Sequence, residues 1–331
     1  MHILITGGAG FLGQRLAHAL LDKDALQLAG RETASVDQIT LTDLVMPKQA
    51  LMSDSRIRFA GGELAEVLMR DPTLAGQADL IVHLSAAVSG DCEADLDLGL
   101  RSNLDATLAL LQAARRGAQR PAFVYASSVA VFGAMPGLPM PATIDDNTLP
   151  APQSSYGIQK YMGEQLVADF TRRGCIDGRN VRLMTVAVRP GKPNGAASGF
   201  LSGMFREPLA GLRAVVPVAP EMSVALASPS STIAGLLCAI QTDSDEWGAR
   251  TAVNLPALST TVGDMAKALE RVAGESAVRL LDWIPDPRIE AIVGGWPPHF
   301  NSQRAKKLGL QADTSIDALL QEYIQTQEIS L

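Results

Sequence analysis

Short apolar runs alternate with helical patterns through the first half of the chain. The apolar runs are HILIT (2–6), QITLTD (38–43), DLIVHLSA (79–86), AFVYASS (122–128) and VRLMTVAVR (181–189). Residues 11–23, 100–116 and 156–173, which lie between these runs, have the hydrophobic spacing of helices. Apolar strands separated by helices are typical of a parallel sheet that is covered on both faces. With right-handed crossovers, this pattern predicts an α/β fold with a doubly wound parallel sheet of the Rossmann type.

The pattern changes after the last of these runs. Residues 190–199 are rich in glycine, proline and small polar side chains, which indicates a loop. Helical spacing returns in residues 259–274, 286–295 and 315–325, and Ser259 with the two threonines after it offers capping hydroxyls to the first of these helices. The second half therefore predicts a smaller, mixed domain that closes over the carboxyl edge of the sheet.

The change of pattern also sets the predicted domain boundaries. With 331 residues, of which 47% are hydrophobic, the chain is long enough for one large domain or two. We predict a Rossmann domain of residues 1–190, to which residues 228–256 return. The remaining residues, 191–227 and 257–331, then form a substrate-binding domain.

Composition and charge argue against several classes of protein. The net charge is −7, the sequence pI is about 5.2 and basic runs are missing, which argues against nucleic acids and anionic membranes as partners. No apolar stretch approaches the roughly 20 residues that are needed to span a bilayer. Cys92, Cys175 and Cys238 lack the spacing of a disulfide framework or a zinc site, and the four histidines are equally scattered. We therefore expect a cytoplasmic protein without a metal.

A glycine-rich turn directly follows the first apolar run. In TGGAGFLG, Gly7, Gly10 and Gly13 have the spacing GxxGxxG between a predicted strand and a predicted helix. Glycines at these positions permit a tight turn and the close approach of a pyrophosphate, and the helix N-terminus supplies N–H donors. A glycine triplet alone is weak evidence, but in this context it predicts that the chain binds a dinucleotide.

The end of the second predicted strand indicates which dinucleotide binds. Asp43 ends TLTD, where a carboxylate accepts hydrogen bonds from the adenosine ribose and repels a 2′-phosphate, so NAD is favoured over NADP. Asp43 lies further beyond Gly13 than the usual roughly 20 residues, and we assign the excess to a loop around residues 24–37. Arg31 in that loop is the reserve ligand for a 2′-phosphate. The alternative role for Asp43 is the capping of a turn.

A tyrosine and a lysine lie one helical turn apart in SSYGIQK. Tyr156 and Lys160 share a helical face, and an ammonium favours a nearby phenolate, so we expect the lysine to lower the tyrosine pKa and make Tyr156 a general base. Ser127 and Ser128 end a predicted strand at the edge of the sheet where ligands bind, so their hydroxyls are candidate donors to a substrate oxygen. The alternative for both serines is hydrogen bonding to backbone groups at the strand end.

Five motifs in this order resemble the extended short-chain dehydrogenases/reductases, in the group of NAD-dependent epimerases and dehydratases. The motifs are TGGAGFLG, HLSAA, Asn103 in the helix that follows, SSVAVFG and YGIQK. The resemblance covers essentially the whole chain. It implies a catalytic set of Ser128, Tyr156 and Lys160, in which Lys160 also holds the nicotinamide ribose. It further implies that Asn103 holds a water molecule that relays the proton outward.

The resemblance also implies further contacts to NAD and an oligomeric state. Besides Asn103, Tyr156 and Lys160, the implied cofactor-binding residues are Phe11, Leu12, Glu63, Leu64, Leu84, Ser85, Ala86 and Ala87. GGEL, which contains Glu63 and Leu64, departs mildly from the Gly-Asp pair that is usual in the family. Packing of the helices at 100–116 and 156–173 into a four-helix bundle is the implied mode of homodimer formation.

The segment after the last predicted strand indicates the substrate class. VAVRPGKPNGAASGF departs from the Arg-Tyr-Phe-Asn segment of sugar-nucleotide epimerases, and Pro190 with Gly191 is closer to the L-threonine dehydrogenases. Together with FREPL, ASPSS and GGWPPHF, the segment resembles the sugar-acid dehydrogenases of the family. The resemblance implies that NAD oxidises the C2 hydroxyl of a four-carbon sugar acid to a 2-keto acid. D-Erythronate is the expected substrate, with L-threonate as a further candidate.

A small polyhydroxy acid needs a cation for its carboxylate and polar partners for its hydroxyls. We predict Lys192 as the cation, with Arg206 in reserve, and Asn194 and Ser89 as hydroxyl partners. The alternative for Lys192 is a solvated position in a loop.

Three functions remain open from the sequence. In the first, Ser128 and Tyr156 hydrogen-bond the C2 oxygen of the sugar acid beside Ser127, and Tyr156 takes the proton as hydride leaves for the nicotinamide. The second is a nucleotide-sugar 4-epimerase, which retains its NAD without net reduction. The third is a non-catalytic NAD-binding protein, against which the intact catalytic set argues.

Overall fold

The predicted alternation of strands and helices is present in the structure. The computed structural model describes residues 1–191 and 195–329 of the chain. The strands are β1 (His2–Thr6), β2 (Leu26–Gln27), β3 (Thr33–Ala34), β4 (Gln38–Asp43), β5 (Ile57–Gly61), β6 (Leu80–His83), β7 (Ala122–Ser128), β8 (Ile144–Asp145), β9 (Asp177–Leu183), β10 (Thr185–Val186), β11 (Ala214–Val216), β12 (Ser223–Ala227), β13 (Val253–Asn254), β14 (Leu258–Thr261), β15 (Leu281–Trp283) and β16 (Phe300–Asn301). The helices are α1 (Phe11–Leu21), α2 (Gln49–Met52), α3 (Leu64–Arg70), α4 (Thr73–Gly76), α5 (Ser89–Ala94), α6 (Leu96–Gly99), α7 (Ala106–Arg115), α8 (Ser155–Arg172), α9 (Gly199–Leu209), α10 (Pro229–Gln241), α11 (Ser244–Trp247), α12 (Val262–Ala273), α13 (Glu275–Val278), α14 (Pro287–Val293), α15 (Gln303–Lys307) and α16 (Ile316–Thr326).

Among the described residues, seven strands form one parallel sheet in the order β13-β9-β7-β6-β1-β4-β5. Ile3 of β1 pairs with Ile39 of β4 on one side and with Leu80 of β6 on the other. The chain builds the sheet from β1 out to β5 and then returns to add β6, β7, β9 and β13 on the other side. The predicted doubly wound Rossmann fold is therefore confirmed. In such a sheet, ligands bind beyond the carboxyl ends of the strands where the order reverses, which is here between β1 and β6.

Alternate residues of the strands enter two separate hydrophobic layers. Ile3 and Ile5 of β1 pack into the layer that contains α1 and α10, whereas Leu4 packs into the layer that contains α3, α7 and α8. All three side chains are buried. Because both faces of the sheet are covered, its central strands are continuous apolar runs without polar alternation.

The strand predicted at 181–189 has different boundaries in the structure. β9 begins earlier, at Asp177, and ends at Leu183, before the short strand β10. The earlier half of β9 is polar, but its side chains are buried with partners. The Arg179 guanidinium, for example, is fully buried and lies 3.0 Å from the Asp177 carboxylate. Paired charges thus let a polar segment form a central strand, which an apolar pattern does not reveal.

Two helices also begin differently from the prediction. The helix predicted at 100–116 starts with a π-helical turn, Leu100–Asp105, before α7. Ser259 belongs to β14, so the cap of α12 is Thr261, whose Oγ1 accepts a hydrogen bond from Asp264 N at 3.0 Å. Within the described ranges, we found no helix with the length and apolar character that crossing a membrane requires.

The loop around residues 24–37 lies far from the predicted nucleotide site. It forms the small hairpin of β2 and β3. The Arg31 guanidinium donates to Arg120 O at 3.0 Å and lies 4.0 Å from the Asp177 carboxylate. Arg120 precedes β7 and Asp177 opens β9, so this contact is at the amino edge of the sheet. The reserve role of Arg31 as a 2′-phosphate ligand is therefore wrong, because nucleotides bind at the opposite edge.

The second half of the chain has its own hydrophobic cluster beside the sheet. Helices α9, α12 and α16 contribute buried side chains that include Phe205, Leu269 and Leu320. Arg206 of α9 and Trp296, which follows α14, line the same cavity as residues at the end of β7. This half therefore covers the carboxyl edge of the sheet and supplies one wall of the cavity there.

Candidate active site

The glycine-rich loop after β1 depends on backbone contacts that a larger residue would block. Gly7 has a φ of +68°, in the left-handed region that favours glycine. A Cβ added to Gly13 would lie 2.2 Å from Gly7 O, so only glycine lets the first turn of α1 pack on the loop. The N-terminus of α1 has no side-chain cap, which leaves its N–H groups for a ligand. This cradle fits the pyrophosphate of a dinucleotide.

The Asp43 carboxylate binds the backbone of the glycine loop. It lies at the carboxyl end of β4, where its Oδ2 accepts a hydrogen bond from Ala9 N at 3.0 Å and its Oδ1 accepts one from Leu44 N at 2.7 Å. The residue also lines the cavity on the adenosine side of the groove. Asp43 therefore ties the phosphate loop to the end of β4, in addition to its predicted role toward the ribose.

Two adjoining cavities form a continuous groove along the carboxyl edge. The first has a volume of about 420 Å³, and its predicted lining residues are Asp43, Glu63, Leu64, Leu84, Ser85, Ala86 and Ala87. The second has a volume of about 340 Å³, and its predicted lining residues are Phe11, Leu12, Gly13, Ser128, Tyr156 and Lys160. Both cavities are lined by Gly7, Gly10, Leu84 and Ala86. An extended dinucleotide would lie along this groove with adenosine in the first cavity and nicotinamide in the second, which we call the catalytic cavity.

Sequence reasoning missed part of the adenosine side. The additional lining residues are Thr42, Leu44, Gly62, Asp91, Leu98, Ser102 and Ala106. Several of these come from α5, α6 and the π-helical turn, which the tertiary fold brings to the groove. No motif or spacing in the sequence identifies such residues, because each of them contributes only a part of the cavity wall.

Ser128 and Tyr156 meet where a strand ends and a helix begins. Ser128 is the last residue of β7, and its Oγ accepts a hydrogen bond from Ala130 N at 3.1 Å, which starts a short 3₁₀ turn. Helix α8 begins just before Tyr156 and is capped by Ser154, whose Oγ accepts from Gly157 N at 3.1 Å. A Cβ added to Gly157 would lie 2.1 Å from Ala130 O, so α8 packs directly on this turn. This packing places Tyr156 on the wall of the cavity that Ser128 also lines.

Lys160 lies one helical turn after Tyr156, and its ammonium is buried. Nζ donates to Ala126 O at 2.8 Å and lies 5.7 Å from the centroid of the Tyr156 ring. Only 3% of the residue is exposed. The three residues of the predicted catalytic set therefore line one cavity.

Asn103 lies behind the groove and does not belong to the described lining of either cavity. Its Oδ1 accepts a hydrogen bond from Ala87 N at 2.7 Å, and its Nδ2 donates to Gln159 Oε1 at 2.9 Å. Its backbone carbonyl accepts from Thr107 Oγ1 at 2.7 Å. Asn103 thus fixes the loop at Ala87, which differs from the predicted role of holding a water molecule.

A chain of buried polar groups connects this region to the glycine loop. Ser85 Oγ donates to Thr6 Oγ1 at 3.0 Å, and Thr6 Oγ1 lies 2.6 Å from His83 Nδ1. On the other side of the ring, His83 Nε2 lies 2.8 Å from Thr107 Oγ1. Burial lowers the pKa of His83 to about 3, so the imidazole is neutral. These hydrogen bonds join the ends of β1 and β6 to α7.

Two predicted substrate residues have hydroxyls that contact the protein. Ser89 lines the catalytic cavity, and its Oγ accepts a hydrogen bond from Ala197 N at 3.1 Å. The Ser127 hydroxyl is buried and donates to Glu164 Oε1 at 2.5 Å. Ser127 also lines the catalytic cavity, so its hydroxyl contacts helix α8 from a residue of the cavity wall, and both serines stay predicted substrate residues.

Two arginines form a positive wall of the catalytic cavity. The favoured cation, Lys192, and the hydroxyl partner Asn194 lie outside the described residues. Arg206, the reserve cation, lines the cavity, and so does Arg189, which sequence reasoning treated only as the end of a strand. Arg206 donates to Arg189 O at 3.0 Å and to Glu207 Oε1 at 2.5 Å. The available signal for Arg189 was its position after a strand, at the edge of the sheet where ligands bind.

Comparison with known proteins decides the family. The model of the NAD dependent epimerase/dehydratase family matches residues 3–222, which contain the glycine loop, Asp43 and the catalytic set. The chain belongs to this family. The dinucleotide that fits the groove is therefore NAD, as predicted.

Relatives in the NAD-dependent epimerase/dehydratase family match almost the whole chain. The chain is 45% identical to the D-erythronate dehydrogenase of Cupriavidus necator over 98% of both proteins. It is 38% identical to the D-erythronate dehydrogenase of Haemophilus influenzae over 98% of this chain and 99% of that protein. A solved structure, the nucleoside-diphosphate-sugar epimerase from Agrobacterium tumefaciens, matches with a TM-score of 0.88 at 38% identity, covering 100% of this chain and 95% of that one. The predicted membership in the extended short-chain dehydrogenases/reductases is confirmed.

The electrostatics of the tyrosine in this family member differ from the sequence expectation. We expected Lys160 to lower the Tyr156 pKa, but burial raises it to about 12 because phenolate loses its hydration. The Ser128 hydrogen bond and the charge of Arg189 oppose this increase only in part. Burial also lowers the pKa of Lys160 to about 8. The first proton that Tyr156 and Lys160 lose as the pH rises therefore comes from the Lys160 ammonium, at a pH near 8.

The lowered pKa of Lys160 predicts the pH dependence of alcohol oxidation. The pair must lose a proton before it accepts one from an alcohol, so kcat for oxidation should rise with pH through about 8, and kcat for the reverse reduction should fall. Tyr156→Phe should lower kcat at least ~10²-fold and should still bind NAD. The checks are pH profiles in both directions and a fluorescence titration with NAD.

Tyr161→Phe is the matched control, because Tyr161 lies on the same helix but outside the described lining of the catalytic cavity. It should keep native turnover. Native turnover in Tyr156→Phe itself would contradict the assignment of the base.

Proposed function

We propose that this chain is an NAD-dependent dehydrogenase that oxidises the C2 hydroxyl of D-erythronate to 2-dehydro-D-erythronate. Two relatives that cover nearly the whole chain are named D-erythronate dehydrogenases. The observation that carries the proposal is the charge of the catalytic cavity. Among its described lining residues, the charged side chains are Lys160, Arg189 and Arg206, and none is acidic. An anionic substrate such as a sugar acid is therefore favoured at this position.

Arg189 is the best candidate ligand for the substrate carboxylate. Within the described residues its guanidinium has no carboxylate partner, whereas Arg206 pairs with Glu207. Burial and the positive charge of Arg206 lower the pKa of Arg189, so a bound carboxylate relieves the repulsion between the two guanidiniums. Arg189 and Tyr156 line the same cavity. A carboxylate on Arg189 therefore places C2 of the acid beside Tyr156.

Each side chain then has a defined task in the reaction. Ser128 donates a hydrogen bond to the C2 oxygen, and Tyr156 accepts the proton of the C2 hydroxyl. Lys160 stabilises the phenolate form of Tyr156 and holds the nicotinamide ribose. When bound, NAD supplies the acceptor for the hydride that leaves C2, so the alcohol loses one hydride and one proton and becomes a ketone. Ser89, Lys192 and Asn194 stay predicted partners of the remaining polar groups.

A nucleotide-sugar 4-epimerase is the second candidate, because the similar structure from Agrobacterium tumefaciens carries the name of a nucleoside-diphosphate-sugar epimerase. Its substrate adds a whole nucleoside diphosphate to the sugar. The catalytic cavity of about 340 Å³ must also contain the nicotinamide, and it lies at the lower end of the roughly 300–1,000 Å³ that is usual for ligand pockets. The small volume favours a four-carbon acid. A non-catalytic role is disfavoured because Ser128, Tyr156 and Lys160 share this cavity.

A substrate panel separates these functions. We expect net formation of NADH, followed by its absorbance, with D-erythronate and NAD, because the cavity offers a cation for the carboxylate and a base for the hydroxyl. L-Threonate, L-threonine and UDP-galactose are the comparison substrates, and Tyr156→Phe is the blank. Interconversion of UDP-galactose without NADH would instead identify an epimerase. No reaction with any of the four would contradict the proposal.

Removal of the Arg189 charge should weaken substrate binding selectively. In Arg189→Met, the KM for D-erythronate should rise about 100-fold, the scale of a buried charge-assisted hydrogen-bond pair, while the Kd for NAD stays native. Steady-state kinetics and an NAD titration measure the two effects. Arg213→Met is the matched control, because Arg213 is exposed and pairs with Asp282 away from the cavity. A native KM in Arg189→Met would exclude Arg189 as the carboxylate ligand.

We also propose the domain division and the compartment that the sequence predicts. Two hydrophobic clusters support a Rossmann domain of 1–190 with 228–256 and a substrate domain of 191–227 with 257–331, except that Ala187 and Val188 pack in the second cluster and Ala305 packs in the first. The three cysteines are free, which supports a reducing cytoplasm. Calorimetry with and without NAD tests the division, and cell fractionation tests the compartment.

A homodimer through the four-helix bundle is the proposed assembly. Leu96 is 57% exposed on α6, and on α8 Ile158 is 46% and Met162 is 42% exposed. Ile158 and Met162 are one turn apart, so they form an apolar stripe on the outer face of α8. Burial of this stripe against a second copy would remove it from water.

We expect light scattering to give the mass of a dimer for the native protein and of a monomer for Ile158→Lys, because a buried lysine would lose its hydration. Leu212→Lys is the matched control, since Leu212 is also exposed but lies in the second half of the chain. A native protein that is monomeric at micromolar concentration would contradict the proposal.

A further inference from the structure

A buried ionic cluster lies directly behind the catalytic residues. Glu164 Oε1 accepts hydrogen bonds from Ser127 Oγ at 2.5 Å and from Arg182 Nε at 2.8 Å. Its Oε2 accepts from a terminal nitrogen of Arg182 at 2.7 Å. Glu164 is 2% exposed and Arg182 is 5% exposed. The carboxylate is thus buried with three donors, two of them from a bidentate guanidinium.

The cluster joins three elements that must keep their relative positions. Glu164 belongs to α8, Ser127 to β7 and Arg182 to β9. A further hydrogen bond joins β9 to α8, because Asn180 Nδ2 donates to Glu164 O at 3.1 Å. The Arg182 guanidinium also stacks on the Phe132 ring, 4.8 Å from its centroid. At Glu164, helix α8 is therefore attached to the sheet by hydrogen bonds, which tolerate only a narrow range of distances and angles.

The positions of these contacts along the chain connect them to the catalytic groups. Glu164 lies one turn after Lys160 on α8, and Ser127 is the residue before Ser128 on β7. A hydrogen bond between Ser127 and Glu164 therefore joins the backbone segments that carry the proton donor and the base. One turn earlier on α8, Lys160 also connects the helix to β7, because its Nζ donates to Ala126 O at 2.8 Å.

We propose that Glu164 is a positioning residue for the reaction: it fixes the distance between Ser128 and Tyr156 through Ser127 on one strand and Arg182 on the next. The proposal rests on the proposed dehydrogenase function, because it concerns the geometry of that reaction. Catalytic groups need to be held within about 0.5 Å of the productive arrangement, and a displacement of about 1 Å is sufficient to lower a rate 10²-fold. This assigns a task to the buried hydrogen bond that Ser127 donates to Glu164.

Three variants test the proposal by kinetics with D-erythronate deuterated at C2. Glu164→Gln should lower kcat about 10²-fold and Ser127→Ala about tenfold, with the KM values for NAD and D-erythronate within about twofold of native. The isotope effect on kcat should increase in both variants, because the misplaced groups slow the hydride step. Asp177→Asn is the matched control: Asp177 is also a buried carboxylate that pairs with an arginine of β9, but it lies at the opposite edge of the sheet.

The control separates positioning from simple loss of stability. Asp177→Asn should lower the Tm by an amount similar to Glu164→Gln, yet keep the native kcat and isotope effect per folded enzyme. Equal kcat values in all three variants would overturn the proposal. So would a raised KM for D-erythronate in Ser127→Ala with a native kcat, because that result makes Ser127 a substrate ligand. If Glu164→Gln does not fold, Ser127→Ala decides, since it removes the link to β7 and leaves the ion pair.

A crystallographic measurement keeps this test independent of the substrate. In crystals of the native protein and of Ser127→Ala with NAD, we expect the distance between Ser128 Oγ and Tyr156 Oη to increase by more than about 0.5 Å in the variant. An unchanged distance would overturn the proposal. If the native protein does not oxidise D-erythronate, the proposed function fails, and this distance still tests the role of Glu164.

Discussion

The contact between a buried ammonium and one strand carbonyl is the interaction on which the catalytic geometry depends. Lys160 Nζ donates to Ala126 O, and this bond holds the first turns of α8 against the carboxyl end of β7. Burial of an ammonium is costly unless it has partners, and the fall of the Lys160 pKa to about 8 is the sign of that cost. Gly157 makes the contact possible, because a side chain there would push the helix away from the 3₁₀ turn that follows β7. The hydrogen bond of the buried Lys160 ammonium therefore depends on the close helix packing that Gly157 permits.

Strand boundaries were predictable where buried apolar side chains lie in the middle of a strand. β1, β4 and β7 begin and end at the predicted residues because their side chains enter apolar layers on both faces. β9 was predicted poorly because its first half is polar. Arg179 is buried through an ion pair with Asp177 of the same strand, and Arg182 through an ion pair with Glu164 of α8. The π-helical turn before α7 was also missed, since six residues of π-helix have nearly the same hydrophobic spacing as α-helix.

The positions of the site residues were predictable where a sequence motif determines the local backbone. Their pKa values and charge partners were less predictable, because these depend on how the folded protein surrounds each side chain. The glycine loop, Asp43 and the Ser128–Tyr156–Lys160 set lie around one groove because each follows a strand of the parallel sheet or begins a helix beside it. The direction of the Tyr156 pKa shift was wrong because spacing gives the distance to Lys160 but not the loss of hydration. Arg189 was missed for the same reason, since only the packed structure shows that its guanidinium lacks an acidic partner among the described residues.

The neutral imidazole between the cofactor loop and α7 has a consequence for acid denaturation. His83 has a folded-state pKa of about 3, against 6.5 for an unfolded histidine. Between these values the unfolded chain binds a proton that the native chain does not, so acidification below about pH 6.5 progressively favours unfolding. The ring is hydrogen-bonded to hydroxyls on both sides. Its protonation would therefore disturb the loop that receives the pyrophosphate, and low pH weakens the fold at the place where the cofactor enters.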